Sequence, residues 1–257
     1  MWVCTTVTLN YICLKLILCN WFHCNSLLYQ SIKLHSSVFR CHSIESECIF
    51  IQSNMISIGN NTKKSHYVIQ VHTHKKYLSN TFNKAKFFAI GEDIFIKEIE
   101  ASGLIYSKSP AEIDILIVTL DRTLTYEKLE ITARALENGA RLFAANIDDT
   151  CPVDEGEVLD AGSTISALEK RTQKKLEQHF GKPSLFMFEE VRRRLKVDLK
   201  KVLLIGDRLE TDIALGNNFG IDSALVSTGV KFYPNGADGI KPTYYLNSVA
   251  DLLNSQK

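Results

Sequence analysis

The stretch that decides the fold is Val202-Leu203-Leu204-Ile205-Gly206-Asp207-Arg208-Leu209-Glu210-Thr211-Asp212. Four apolar residues in a row read as a strand buried on both faces, as in a parallel sheet covered by helices. Gly206 lets the chain turn, and Asp207 is delivered to the carboxyl end of the strand, where open α/β sheets place their ligands. Asp212 follows five residues later, near the start of the next helical pattern. Two carboxylates so placed suit Mg2+, a hard cation that takes oxygen ligands and keeps waters. The competing reading is a turn Asp at 207 and a helix N-cap at 212.

Outward from this stretch, strands and helices alternate. Lys86–Ile90, Ile113–Leu120, Arg141–Ala145, Lys201–Ile205 and Ser223–Ser227 read as strands, and Tyr244–Leu246 as a last short one. Asp93–Ala101 has helical spacing; Thr125 is expected to cap a helix through Leu136, and Gly162–Arg171 forms the next. Ser184 caps a helix with Leu185, Phe188, Val191 and Leu195 on its buried stripe. Thr211 or Asp212 opens another helix, and Asn247 or Ser248 a short one through Leu253. Such alternation argues for α/β with a parallel sheet. Lys182 stands in Gly181-Lys182-Pro183-Ser184, a stiff turn before a helix. There a point cation and the helix N-terminus can together hold a phosphoryl oxygen, although a lone Lys in such a turn is more often solvated.

Residues 84–253 resemble haloacid dehalogenase (HAD) superfamily phosphatases, of the para-nitrophenyl phosphatase and phosphoglycolate phosphatase branch with a large type-two cap. The residues that carry the resemblance are Ala89-Ile90-Gly91-Glu92, Leu120-Asp121-Arg122 with Thr125–Leu129, and Gly162-Ser163. Gly181–Ser184, Gly206-Asp207-Arg208 with Thr211-Asp212, and Ser227–Val230 complete the set. The resemblance implies a HAD-like Rossmannoid parallel-sheet core with an inserted α/β cap. It implies a Mg2+-dependent phosphatase acting on a small phosphorylated metabolite. Lys182 would steady the phosphoryl group, Asp207 would hold Mg2+, and Asp212 would be a supporting ligand or stand behind the ligands. Asp121 and Arg122 would belong to the cap and influence substrate choice, and the cap can mediate homodimers in this branch. A cytoplasmic enzyme is expected.

The family places its nucleophile in a DxDxT stretch on the first core strand, with a second Asp two residues on as general acid and base. In this chain the first Asp is Asp93, already inside the cap-like part. Little or no turnover is therefore expected, and a core that is incomplete at its N-terminus. The next family motif, a hydroxyl residue before Asn-Asn, is resembled by Gly59-Asn60-Asn61, which would touch substrate; Gln52-Ser53-Asn54 is a rival match and an ordinary turn a third reading. The organisation expected is an atypical segment 1–50, a degraded core remnant 51–83, a cap 84–175 and the C-terminal half of the core 176–257.

The charge distribution agrees with that division. Residues 1–80 hold seven basic and two acidic residues, a balance of +5, while the other 177 hold 23 basic and 27 acidic, a balance of −4. The first 80 residues have no Asp or Pro and contain six of the seven Cys. Compact folds need turn residues, so this segment is poor at making them. Its Cys and His do not form zinc-type pairs, and Val3–Phe22 is interrupted by Lys15 and diluted by polar residues, so a membrane span is not favoured. A net charge of +1 argues against a nucleic-acid binder. Two alternatives stand beside the phosphatase reading: a non-catalytic relative that binds phosphate or a partner, and a protein anchored through residues 3–22.

Overall fold

The computed structural model describes residues 47–52, 55–58, 77–153, 156–195, 198–230, 239–249 and 251. Asn60, Asn61, the 3–22 segment and all Cys and His of the first 46 residues lie outside them. Among the described residues no helix is long and apolar enough to cross a membrane.

Two five-stranded sheets, built mainly of parallel strands, organise the described residues. The cap sheet runs β4(Ile105–Tyr106)–β3(Lys86–Ile90)–β5(Ile115–Val118)–β6(Arg141–Ala144)–β9(Gln178–His179), every pair parallel. Its strands are apolar on both faces, and period-two alternation splits them between two cores. Phe88, Ile90, Leu116, Val118 and Leu142 pack with α2(Tyr126–Glu137) and α3(Ala161–Thr172). Phe87, Ala89, Ile115, Ile117 and Phe143 face α1(Asp93–Glu100), Leu78 and Phe180. A hairpin, β7(Thr150–Val153) and β8(Gly156–Leu159), leaves this sheet after β6.

The core sheet has the order β12(Tyr244–Leu246)–β11(Asp222–Val226)–β10(Val202–Gly206)–β1(Glu47–Gln52)–β2(Met55–Ile58). Val202 and Leu204 face Met187, Phe188 and Val191 of α4(Leu185–Arg194) and Leu215 of α5(Ala214–Phe219), while Leu203 and Ile205 face Tyr244 and Leu246. The place beside β10, where a missing strand was expected, is filled: β1 runs parallel to β10 with Phe50 opposite Ile205, and β2 returns antiparallel. A sheet position asks only for an extended backbone and apolar side chains, which Cys48–Ile51 offers without any Asp.

Most helix ends fall where the caps predict. The Thr125 hydroxyl accepts from Lys128 N, and that of Ser184 from Met187 N. The helix expected to open at Thr211 or Asp212 begins later. Leu209–Ile213 forms one wide turn, with Asp212 N and Ile213 N both donating to Arg208 O, and α5 starts at Ala214. The Asp212 side chain is drawn inward by Lys182 instead of capping.

Candidate active site

Asp207 leaves the end of β10 beside a buried ion pair. Lys182 Nζ lies 2.6 Å from Asp212 Oδ1, with the two side chains 2% and 0% exposed. The other carboxylate oxygen of Asp212 accepts from the backbone N–H of Asp207 and of Arg208, each at 3.1 Å. Both Asp212 oxygens are thus engaged, and the carboxylate fixes the lysine and the loop at once. Gly206 is required here, because a Cβ on it would stand 2.2 Å from Asp212 Cβ. Asp207 Oδ2 accepts from Val230 N at 3.2 Å, and a Cβ on Gly229 would stand 1.8 Å from that oxygen.

Burial works against the Lys182 ammonium, but Asp212, Asp148 and Asp207 outweigh it and raise its pKa. Burial pushes Asp212 up to about 6 against the pull of Lys182, which leaves the pair ionised at neutral pH. The Lys182–Pro183 peptide bond is cis, and Lys182 stands two residues before Ser184, the cap of α4. An ammonium, a helix N-terminus and a nearby carboxylate make a setting for a phosphate with a divalent cation.

Asp207 fits a Mg2+ ligand: a half-buried carboxylate with one oxygen turned to a backbone N–H. Asp212 fits the supporting position, since its oxygens are taken by Lys182 and two amides. Among the described residues no three His, Cys, Asp or Glu side chains are placed to hold a metal. A Mg2+ ion here would take Asp207 as a ligand and keep waters in its shell.

Asp121 and Arg122 stand at the end of β5, in the cap. Asp121 Oδ1 accepts from the Thr123 backbone and hydroxyl at 2.8 and 2.7 Å, and Oδ2 lies 2.6 Å from Lys128 Nζ. Arg122 pairs with Glu92 at 3.1 Å. These contacts brace the ends of β3 and β5 against α2.

Sequence reasoning did not single out Asp148, Thr150 or Asp160. Asn146 Nδ2 donates to Asp160 Oδ1, which also caps α3 at Ala161 N. Burial pushes Asp160 up to about 6. Arg208 reaches from the core loop to Asp148 and Thr150. A signal was present: Ala145-Asn146-Ile147-Asp148 ends an apolar strand in a carboxylate, as Gly206-Asp207 does. Cys151 beside them is pushed up to about 11 by burial and by Asp160 and Asp148, so its thiol stays protonated.

A family model described as HAD-hydrolase-like matches residues 179–252. The chain is 31% identical over 202 residues to the sugar-phosphatase AraL of Bacillus subtilis, covering 78% of this chain and 74% of that one. Among solved structures it is similar to a 4-nitrophenylphosphatase from Thermotoga maritima, with TM-score 0.63, 30% identity, and coverage of 73% of this chain and 71% of that one. It is also similar to a glycerol phosphate phosphatase from Mycobacterium tuberculosis solved with magnesium, with TM-score 0.60, 27% identity, and coverage of 71% and 56%. The two sheets, the buried Lys182–Asp212 pair behind Asp207 and these likenesses agree: the chain belongs to the haloacid dehalogenase superfamily of hydrolases, in its branch of capped phosphatases.

Proposed function

We propose that this chain binds the phosphate of a small sugar or polyol phosphate with Mg2+ and turns it over little or not at all. The observation that carries the binding half is the buried Lys182–Asp212 pair at 2.6 Å, which fixes an ammonium close to Asp207. Held this way, Lys182 stays charged and is fixed in place before a phosphate arrives. Asp207 would hold the cation and Asp212 would orient the lysine. Bound Mg2+ neutralises phosphate charge and polarises a phosphoryl oxygen. The sugar phosphatase and the glycerol phosphate phosphatase among its relatives support a polyol phosphate as ligand.

The missing turnover rests on the sequence. The first Asp is Asp93, which begins α1 of the cap, so the first core strand brings no carboxylate nucleophile of the family type. The cap is the surface through which we expect a homodimer, and the cytoplasm the location. The test is para-nitrophenyl phosphate hydrolysis by the purified full chain with Mg2+. No release above the protein-free rate is expected. Turnover that disappears in Asp207→Asn would overturn the inactive reading and leave an active phosphatase.

A further inference from the structure

We infer that Arg208 is a positioning residue that clamps the base of the cap hairpin β7–β8 onto the core loop carrying Asp207. Its backbone N–H belongs to the core site, donating to Asp212 Oδ2 at 3.1 Å. Its guanidinium crosses to the cap. There Nη2 donates to Thr150 O at 2.5 Å and to Thr150 Oγ1 at 3.1 Å, while Nε lies 3.7 Å from Asp148 Oδ1. Both side chains are removed from water, Arg208 at 10% and Asp148 at 6% exposure. Asp148 Oδ1 is buried without a hydrogen-bond partner among the described residues, so its charge leans on the guanidinium beside it.

The planar fork is what makes this clamp possible. One guanidinium meets a carbonyl, a hydroxyl and a carboxylate in different directions, which a lysine ammonium at the same place would not match. Charge-assisted bonds at a site shut off from water are among the stronger ones. Asp148 also lies close enough to bear on Lys182 and Asp212. A shift of the hairpin is therefore felt at the phosphate end of the site, and the position of the Asp207 loop is felt at the hairpin.

The test is amide hydrogen exchange on the full chain, and no part of it depends on phosphate binding or turnover. In Arg208→Met, which keeps the stem and removes the fork, hairpin amides of 150–159 exchange about tenfold faster or more. Amides of β3, β5 and β10 keep their rates. Arg208→Lys recovers part of the protection, and Arg208→Met combined with Asp148→Asn is no faster at the hairpin than Arg208→Met alone. Unchanged hairpin exchange in Arg208→Met, equal acceleration throughout the cap, or additive effects in the double variant would each overturn the clamp.

Discussion

The same dipeptide ends one strand in each sheet, and the two copies behave differently. Asp121-Arg122 follows β5 in the cap, and Asp207-Arg208 follows β10 in the core. In the cap, Asp121 spends its oxygens on Thr123 and Lys128, and Arg122 pairs with Glu92. In the core, the local amides are satisfied by Asp212 instead. Asp207 accepts from Val230 N, outside its own turn, and Arg208 reaches the cap. The difference lies five residues downstream: Asp212 takes over the structural duties that Asp121 must perform itself. On the function proposed above, a second carboxylate that relieves the first is what frees a strand-end Asp to hold a ligand.

The largest expected effect comes from removing that relief. Asp212→Ala leaves the Lys182 ammonium buried without its partner and should cost about 3–5 kcal/mol in urea unfolding. A loss below about 1 kcal/mol would show that the two strand ends do not differ in this way. The next effect concerns Asp160, a buried carboxylate with no cation at hydrogen-bond distance among the described residues. Its folded pKa of about 6 exceeds the ordinary 3.8. The folded protein therefore holds a proton that the unfolded chain has lost, and stability rises as pH falls from about 6 towards 3.8. The gain is at most about 3 kcal/mol. Asp212 adds a slope of the same sign, so the share of Asp160 is read as the difference from Asp160→Asn, which keeps the helix cap. No difference between the two pH profiles would count against a buried charged Asp160.

Asp121→Ala should cost about 1–2 kcal/mol, less than Asp212→Ala, because Lys128 is 21% exposed and keeps Thr123 and the Gly91 carbonyl. Equal losses at 121 and 212 would erase the contrast between cap and core. The smallest effect is expected on the surface of α4. There Glu189→Ala breaks an exposed pair with Arg192 and should change stability by no more than about 0.5 kcal/mol in the same unfolding experiment.

Much of this was legible in the sequence. The double-sided strands 86–90, 115–118 and 202–206 announce themselves as unbroken apolar runs, and Thr125 and Ser184 mark their helices by cap chemistry. Lys182, Asp207 and Asp212 were singled out because each follows a local pattern, and the structure brings the three together. The crossing contacts were not legible: Arg208 to Thr150 spans 58 residues, and nothing in either neighbourhood names the other. The hairpin β7–β8 was missed because Thr150-Cys151-Pro152-Val153 is short, half-buried and interrupted by Pro. Strand β1 was not read because segment 1–50 is poor in turn residues, although pairing with β10 depends only on its extended backbone.

The most direct measurement is a calorimetric titration of inorganic phosphate into the full chain with Mg2+ present. The account predicts a saturable binding heat that vanishes in Asp207→Asn, from a protein that releases no para-nitrophenol from para-nitrophenyl phosphate. Absence of a phosphate heat in the unaltered chain, or hydrolysis that depends on Asp207, would contradict it.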